Sequence, residues 1–130
     1  MKGLLNSILM SIAILLAISS CTMVGKGELR LLNIEVSENK RLITNLQFWA
    51  RIYFEADGNP EIRKACFYWS GNGPYCVDVK DVEYGSFAYF DVPLTARFGS
   101  DSLQCYVEYV RDAKIQRSNA VASSVTGVIP

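Results

Sequence analysis

Histidine is absent from all 130 residues. That removes the usual general base, the Ser-His and Cys-His nucleophile pairs, and most transition-metal sites. No glycine-rich phosphate loop, G-x-S-x-G elbow or nucleotide signature occurs either. Charge of either sign is not in excess: 13 basic residues face 13 acidic ones. There is thus no basic stripe for nucleic acid and no acidic tail for buffering cations. These absences together argue for a protein that is not an enzyme and needs no cofactor.

What is present begins with Lys2, then the apolar run LLNSILMSIAILLAI from Leu4 to Ile18, then Ile18-Ser19-Ser20-Cys21. A short cationic start, about 15 apolar residues and a small-residue cleavage site form a secretory signal. The run is too short for a bilayer span, which needs about 20 apolar residues. A cysteine directly after small residues, with an aliphatic residue three places before it, resembles the lipobox of bacterial lipoprotein precursors. The resemblance covers residues 1–21. It implies cleavage between Ser20 and Cys21, diacylglycerol on the Cys21 sulfur, and a bacterial envelope location. With two or three acyl chains, at about 0.8 kcal/mol per buried methylene, such an anchor is stable. Thr22 stands where aspartate would resemble an inner-membrane retention signal, so the outer membrane is favoured if the host has two membranes.

The expected organisation is a signal peptide over residues 1–20, a lipidated cysteine and tether over 21–27, and one domain over 28–130. Residues 1–20 carry Lys2 as their one charge, so the remainder has 12 basic and 13 acidic residues, a net of −1. It keeps both tryptophans, seven tyrosines and six phenylalanines, ample for a β-rich core.

Period-two alternation recurs along this domain, with turn residues between segments. Strands are expected at Glu28–Val36, Leu46–Glu55, Ile62–Trp69, Tyr75–Lys80, Ser86–Val92, Ser102–Val110 and about Lys114–Val125. Turns fall at Asp57-Gly58-Asn59-Pro60, Ser70-Gly71-Asn72-Gly73-Pro74 and Arg111-Asp112. About seven short strands and no helix predict an antiparallel β-sandwich, with a small β-barrel as the competing fold. The order and spacing resemble an immunoglobulin-like or fibronectin type III-like domain, with Trp69 and Cys105 in the third and sixth strands. Two departures exclude the antibody-type disulfide and tyrosine corner. The second strand has no cysteine, and Leu103 stands where the corner tyrosine would be.

With Cys21 assigned to lipid, Cys66, Cys76 and Cys105 remain in an oxidising compartment. Alternation places Ala65, Phe67 and Trp69 inward, and likewise Tyr75, Val77 and Val79, so Cys66 and Cys76 look outward from one hairpin. Cys105 shares the apolar face of Leu103 and Val107. A Cys66–Cys76 bridge is therefore favoured over Cys66–Cys105, leaving Cys105 as a small buried hydrophobe.

For binding, Trp49, Arg51 and Tyr53 line the face of the second strand opposite its apolar stripe, and Tyr68 lies beside the expected disulfide. Such aromatic strips stack on sugar rings or anchor protein partners. The competing assignment is structural: Arg51 clasping Trp49 or Tyr53 as a cation–π pair. Acidic residues cluster in Asp78–Glu83 and in Asp57–Glu61, but neither matches a calcium loop. The sequence therefore points to a lipid-anchored, non-catalytic binding or assembly module that meets an envelope protein. The alternative is a secreted-side inhibitor or carbohydrate-binding accessory.

Overall fold

The computed structural model describes residues 24–37, 41–97 and 101–128. The expected signal segment, with Ser20 and Cys21, lies outside the described residues. Ten strands follow one another: β1 Leu29–Val36, β2 Arg41–Ile43, β3 Gln47–Ala56, β4 Ile62–Trp69, β5 Asn72–Asp78, β6 Ala88–Thr95, β7 Ser102–Arg111, β8 Lys114–Arg117, β9 Val121–Ser124 and β10 Thr126–Val128. Among the described residues there is no helix.

One antiparallel sheet runs β1-β3-β6; the other runs β5-β4-β7, with β8 and β9 both paired to β7. Strands β1, β3 and β6 thus lie in one sheet and β4, β5, β7, β8 and β9 in the other, the arrangement of an immunoglobulin-like sandwich rather than a barrel. A short parallel pair, β2 with β10, lies apart from both sheets.

Alternation explains the packing. Phe48, Ala50, Ile52 and Phe54 of β3 and Ala88, Phe90, Val92 and Leu94 of β6 all point into the sandwich and are buried. Ala65, Phe67 and Trp69 of β4 meet them from the other sheet, with Leu103, Cys105, Val107 and Tyr109 of β7. Trp69 bridges the two layers, its ring edge-on to Phe48 with centroids 5.8 Å apart.

Several boundaries differ from the sequence expectation, each for a local reason. The expected seventh strand is two strands, since Ser118–Ala120 break the ladder between β8 and β9. The expected loop over residues 70–74 shrinks to Ser70-Gly71, both with positive φ, a primed two-residue turn. Asn72–Pro74 then belong to β5. Gly73 sits at the accompanying bulge, where a Cβ would come within 2.6 Å of the Phe67 carbonyl oxygen. Pro93 does not end its strand but lies inside β6, an edge strand that tolerates the missing N–H. Leu46, expected to open the second strand, is instead exposed in the β2–β3 turn.

The edge of β1 is partly closed. A bulge between Leu31 and Asn33 turns Leu32 outward. The Asn119 side chain then accepts from the Leu31 N–H at 2.7 Å and donates to its carbonyl at 3.0 Å, in place of a neighbouring strand. Pairing through this edge is blocked at Leu31, in keeping with the way natural sheets guard their edges.

Candidate binding face

The outer face of the β1-β3-β6 sheet carries Trp49, Arg51 and Tyr53, as alternation requires. Arg51 donates to both Asp91 oxygens, at 2.8 and 3.0 Å, and its guanidinium lies 4.1 Å from the Tyr89 ring centre. Hydrogen bonding to Asp91 holds Arg51 firmly charged. The clasp is therefore real, but its aromatic partner is Tyr89 of β6, neither Trp49 nor Tyr53. Tyr53 donates its hydroxyl to Glu35 at 3.0 Å, and an Arg30–Glu55 ion pair closes the row. Arg51 and Tyr53 are thereby occupied within the sheet.

Trp49 is different. It is 53 % exposed, although both its neighbours on β3, Phe48 and Ala50, are buried. Pro93 stands opposite it on β6 and is also exposed. A cleft of about 510 Å³ opens on one side of the indole, lined by Val77, Asp78, Lys80, Asp81, Asp91 and Pro93. A second depression of about 400 Å³, lined by Glu35, Ser37, Arg51 and Asp91, lies on the other. The result is an aromatic ledge with polar groups on both flanks. Asp78, Lys80 and Asp81 come from β5 and the segment after it, in the other sheet. Their approach to Trp49 depends on how the two sheets stack, which alternation alone does not reveal. Pro93 and Asp91 were legible in principle, since they share the outward phase of β6.

Tyr68 is not part of this ledge. It lies on the outer face of the opposite sheet, half-buried, with its ring 6.3 Å from that of Tyr106. The four aromatic and basic residues singled out from the sequence thus divide between two faces.

Cys66 and Cys76 are directly opposite on β4 and β5 and form a disulfide. The outward phase of Cys66 is as expected, but the side chain is fully buried. Tyr106, its register partner on β7, covers it, with the Arg117 guanidinium stacked 4.3 Å above the Tyr106 ring. Tyr75, expected inside, is 42 % exposed on the edge strand β5 and carries Arg97 at 4.0 Å from its ring centre.

Cys105 is a free, fully buried thiol, and burial raises its pKa well above the ordinary range. It should resist alkylation in the folded chain. Titration of a sample acylated at Cys21 with a thiol reagent should find none before unfolding, one in denaturant, and three after reduction. Reaction of the native chain would show that Cys105 is accessible.

Asp78 pairs with Lys64 at 3.1 Å, and Glu61 lies 3.9 Å from Arg63. Among the described residues no group of three or more acidic, cysteine or histidine side chains is arranged to hold a metal ion.

No protein-family model matches the chain, and no curated protein matches it in sequence. Among solved structures it is similar to a cohesin module from a family 33 glycoside hydrolase of Clostridium perfringens, at 16 % identity and a TM-score of 0.38. That likeness covers 78 % of this chain and 99 % of the module. A score this low bears on neither the finer topology nor the function.

Proposed function

We propose that this chain is a lipid-anchored, non-catalytic binding module of a bacterial envelope, held by acyl chains on Cys21 and recognising a protein partner through the Trp49 ledge. The observation that carries the recognition surface is the exposure of Trp49 between two clefts, beside the buried Phe48 and Ala50 and the paired Arg51. Tryptophan is strongly enriched among residues that dominate protein interfaces, because one rigid side chain supplies a large contact area. Arg51, Asp91 and Tyr89 hold the β-strand surface beneath it, so the ledge is preorganised and little side-chain freedom is lost on binding. The polar lining of the larger cleft also favours a second reading, in which a sugar ring stacks on Trp49 and hydrogen-bonds Asp81 or Lys80.

Crosslinking on intact cells tests the first reading. Trp49→Ala should lower the yield of a defined protein adduct by at least about thirtyfold, the counterpart of an interface residue worth about 2 kcal/mol. An adduct of unchanged yield in this variant would sink the assignment of the ledge. Loss of binding to immobilised envelope glycans, with no protein adduct in the parent, would favour the sugar.

A further inference from the structure

We infer that Phe87 is a membrane contact: the end of the sandwich that carries the tether lies against the lipid surface, with the Phe87 ring in the headgroup–acyl boundary. This rests on the acylation of Cys21 proposed above, and it adds an orientation that acylation alone does not supply.

The argument begins with the tether. Gly25 donates to the Glu28 carboxylate at 2.6 Å, the Glu28 N–H returns to the Gly25 carbonyl at 2.9 Å, and Arg111 donates to the Lys26 carbonyl at 3.0 Å. Gly25–Glu28 is therefore folded onto the end of β7 and no longer acts as free chain. Only Thr22, Met23 and Val24 separate it from Cys21. The four residue steps from Cys21 to Gly25 span at most about 14 Å, at about 3.3–3.6 Å each. A domain tied this closely must place the docked end near the lipid surface.

Phe87 is at that end. It precedes Ala88, which pairs with Phe54, two residues before the Ala56 that pairs with Leu29 at the start of β1. At 86 % exposure it is the most exposed of the large hydrophobic side chains described. The segment bearing it is held in place rather than folded over the core. Tyr84 donates its hydroxyl to the Pro60 carbonyl at 2.5 Å and sets its ring edge-on to Phe54, while Glu83 and Tyr89 exchange backbone hydrogen bonds. An aromatic ring presented this way suits the bilayer interface, where aromatic side chains are enriched. Charge does not supply the contact: Lys26, Arg111 and Lys114 at this end are offset by Glu28, Asp57, Glu61 and Asp112. Association of this end with lipid should therefore be insensitive to salt.

Trp49 lies seven residues along β3 from Ala56, about 23 Å at about 3.3 Å per residue. The same orientation thus presents the ledge away from the bilayer.

The experiment uses the acylated full-length mature chain in vesicles of phosphatidylethanolamine and phosphatidylglycerol, with and without brominated acyl chains. A Phe87→Trp reporter should add a blue-shifted emission that the brominated chains quench, unchanged at high salt, while the native emission of Trp49 and Trp69 stays unquenched. Ser86→Trp, one residue away, serves as a second reporter should the first variant fold poorly. Absence of acyl mass on the Cys21 peptide, with no flotation on vesicles, overturns the anchor and this inference together. Flotation with both reporters unquenched overturns this inference alone and leaves Phe87 to a protein partner. Quenching of the native emission overturns the orientation.

Discussion

Trp69→Ala should cost the domain about 3–5 kcal/mol, the range for removing a large aromatic side chain from a packed core. Trp69 is 3 % exposed and its ring meets Phe48 across the two sheets, so the truncation opens a cavity lined from both sides. Sheets on either side of such a gap collapse only partly, because each is held by its own ladder. At about 4–8 °C per kcal/mol for a domain of this size, the midpoint should fall by about 12–40 °C. Total stabilities are typically about 5–15 kcal/mol, so the variant approaches the edge of folding. Trp49→Ala removes the same side chain from the same sandwich and should change stability by no more than about 0.5 kcal/mol, since that indole is mostly in water. Thermal and urea unfolding of the two variants side by side checks both statements. A Trp69→Ala loss below about 1 kcal/mol would mean that the inter-sheet space is not a dry, packed core.

Removing the Cys66–Cys76 bridge is the next largest expected effect. It joins residues 10 apart in sequence, and closing a loop of that length in the unfolded chain is worth about 2–3 kcal/mol. The loss should not be symmetrical between its two partners. Cys76 is exposed, whereas Cys66 is sealed beneath Tyr106 and Arg117. Cys76→Ser should thus lose little beyond the bridge. Cys66→Ser should lose about 1–3 kcal/mol more, because its hydroxyl is buried where the sulfur had no need of a hydrogen-bond partner. Denaturant titrations of both variants, alongside the reduced parent, separate these contributions. Equal losses in the two variants would show that the Tyr106–Arg117 cover does not exclude water.

Much of this was visible along the chain. The segments Ala65–Trp69 and Ser102–Val110 alternate cleanly enough that their inward and outward sides follow from period two, whereas the phase slips between Ile62 and Ala65. The bridge followed from the same alternation, because residues paired across a hairpin share a face. Where the chain misled, it did so by local departures from that period. In LRLLNIEV the apolar phase shifts after Leu31, the mark of the bulge that turns Leu32 outward. The short strands β2 and β10 pair with each other in parallel across most of the domain's length, and three-residue segments carry too few positions to show a period. Tyr75 has the inward phase, yet β5 is an edge strand beyond the cover of the other sheet, so the ring is left in water beside Arg97.

The candidate surface divides in the same way. That Trp49, Arg51 and Tyr53 share one outward face is a property of the sequence, since alternate residues of a strand cannot do otherwise. That Arg51 is taken by Asp91 and Tyr89, Tyr53 by Glu35, and the Trp49 indole by none of the described side chains is a property of the strands laid beside β3. Neighbours in a sheet come from distant parts of the chain, and only the register decides which side chains meet.

By itself, the sequence determined what needs no partner from elsewhere in the chain. It set the absence of histidine chemistry, the β class, and the face on which each strand residue lies. Tertiary structure alone decided which of those faces remained open to water. Burial is a property of what comes to lie over a side chain: it sealed Cys66 though it points outward, exposed Tyr75 though it points inward, and left Trp49 and Phe87 uncovered.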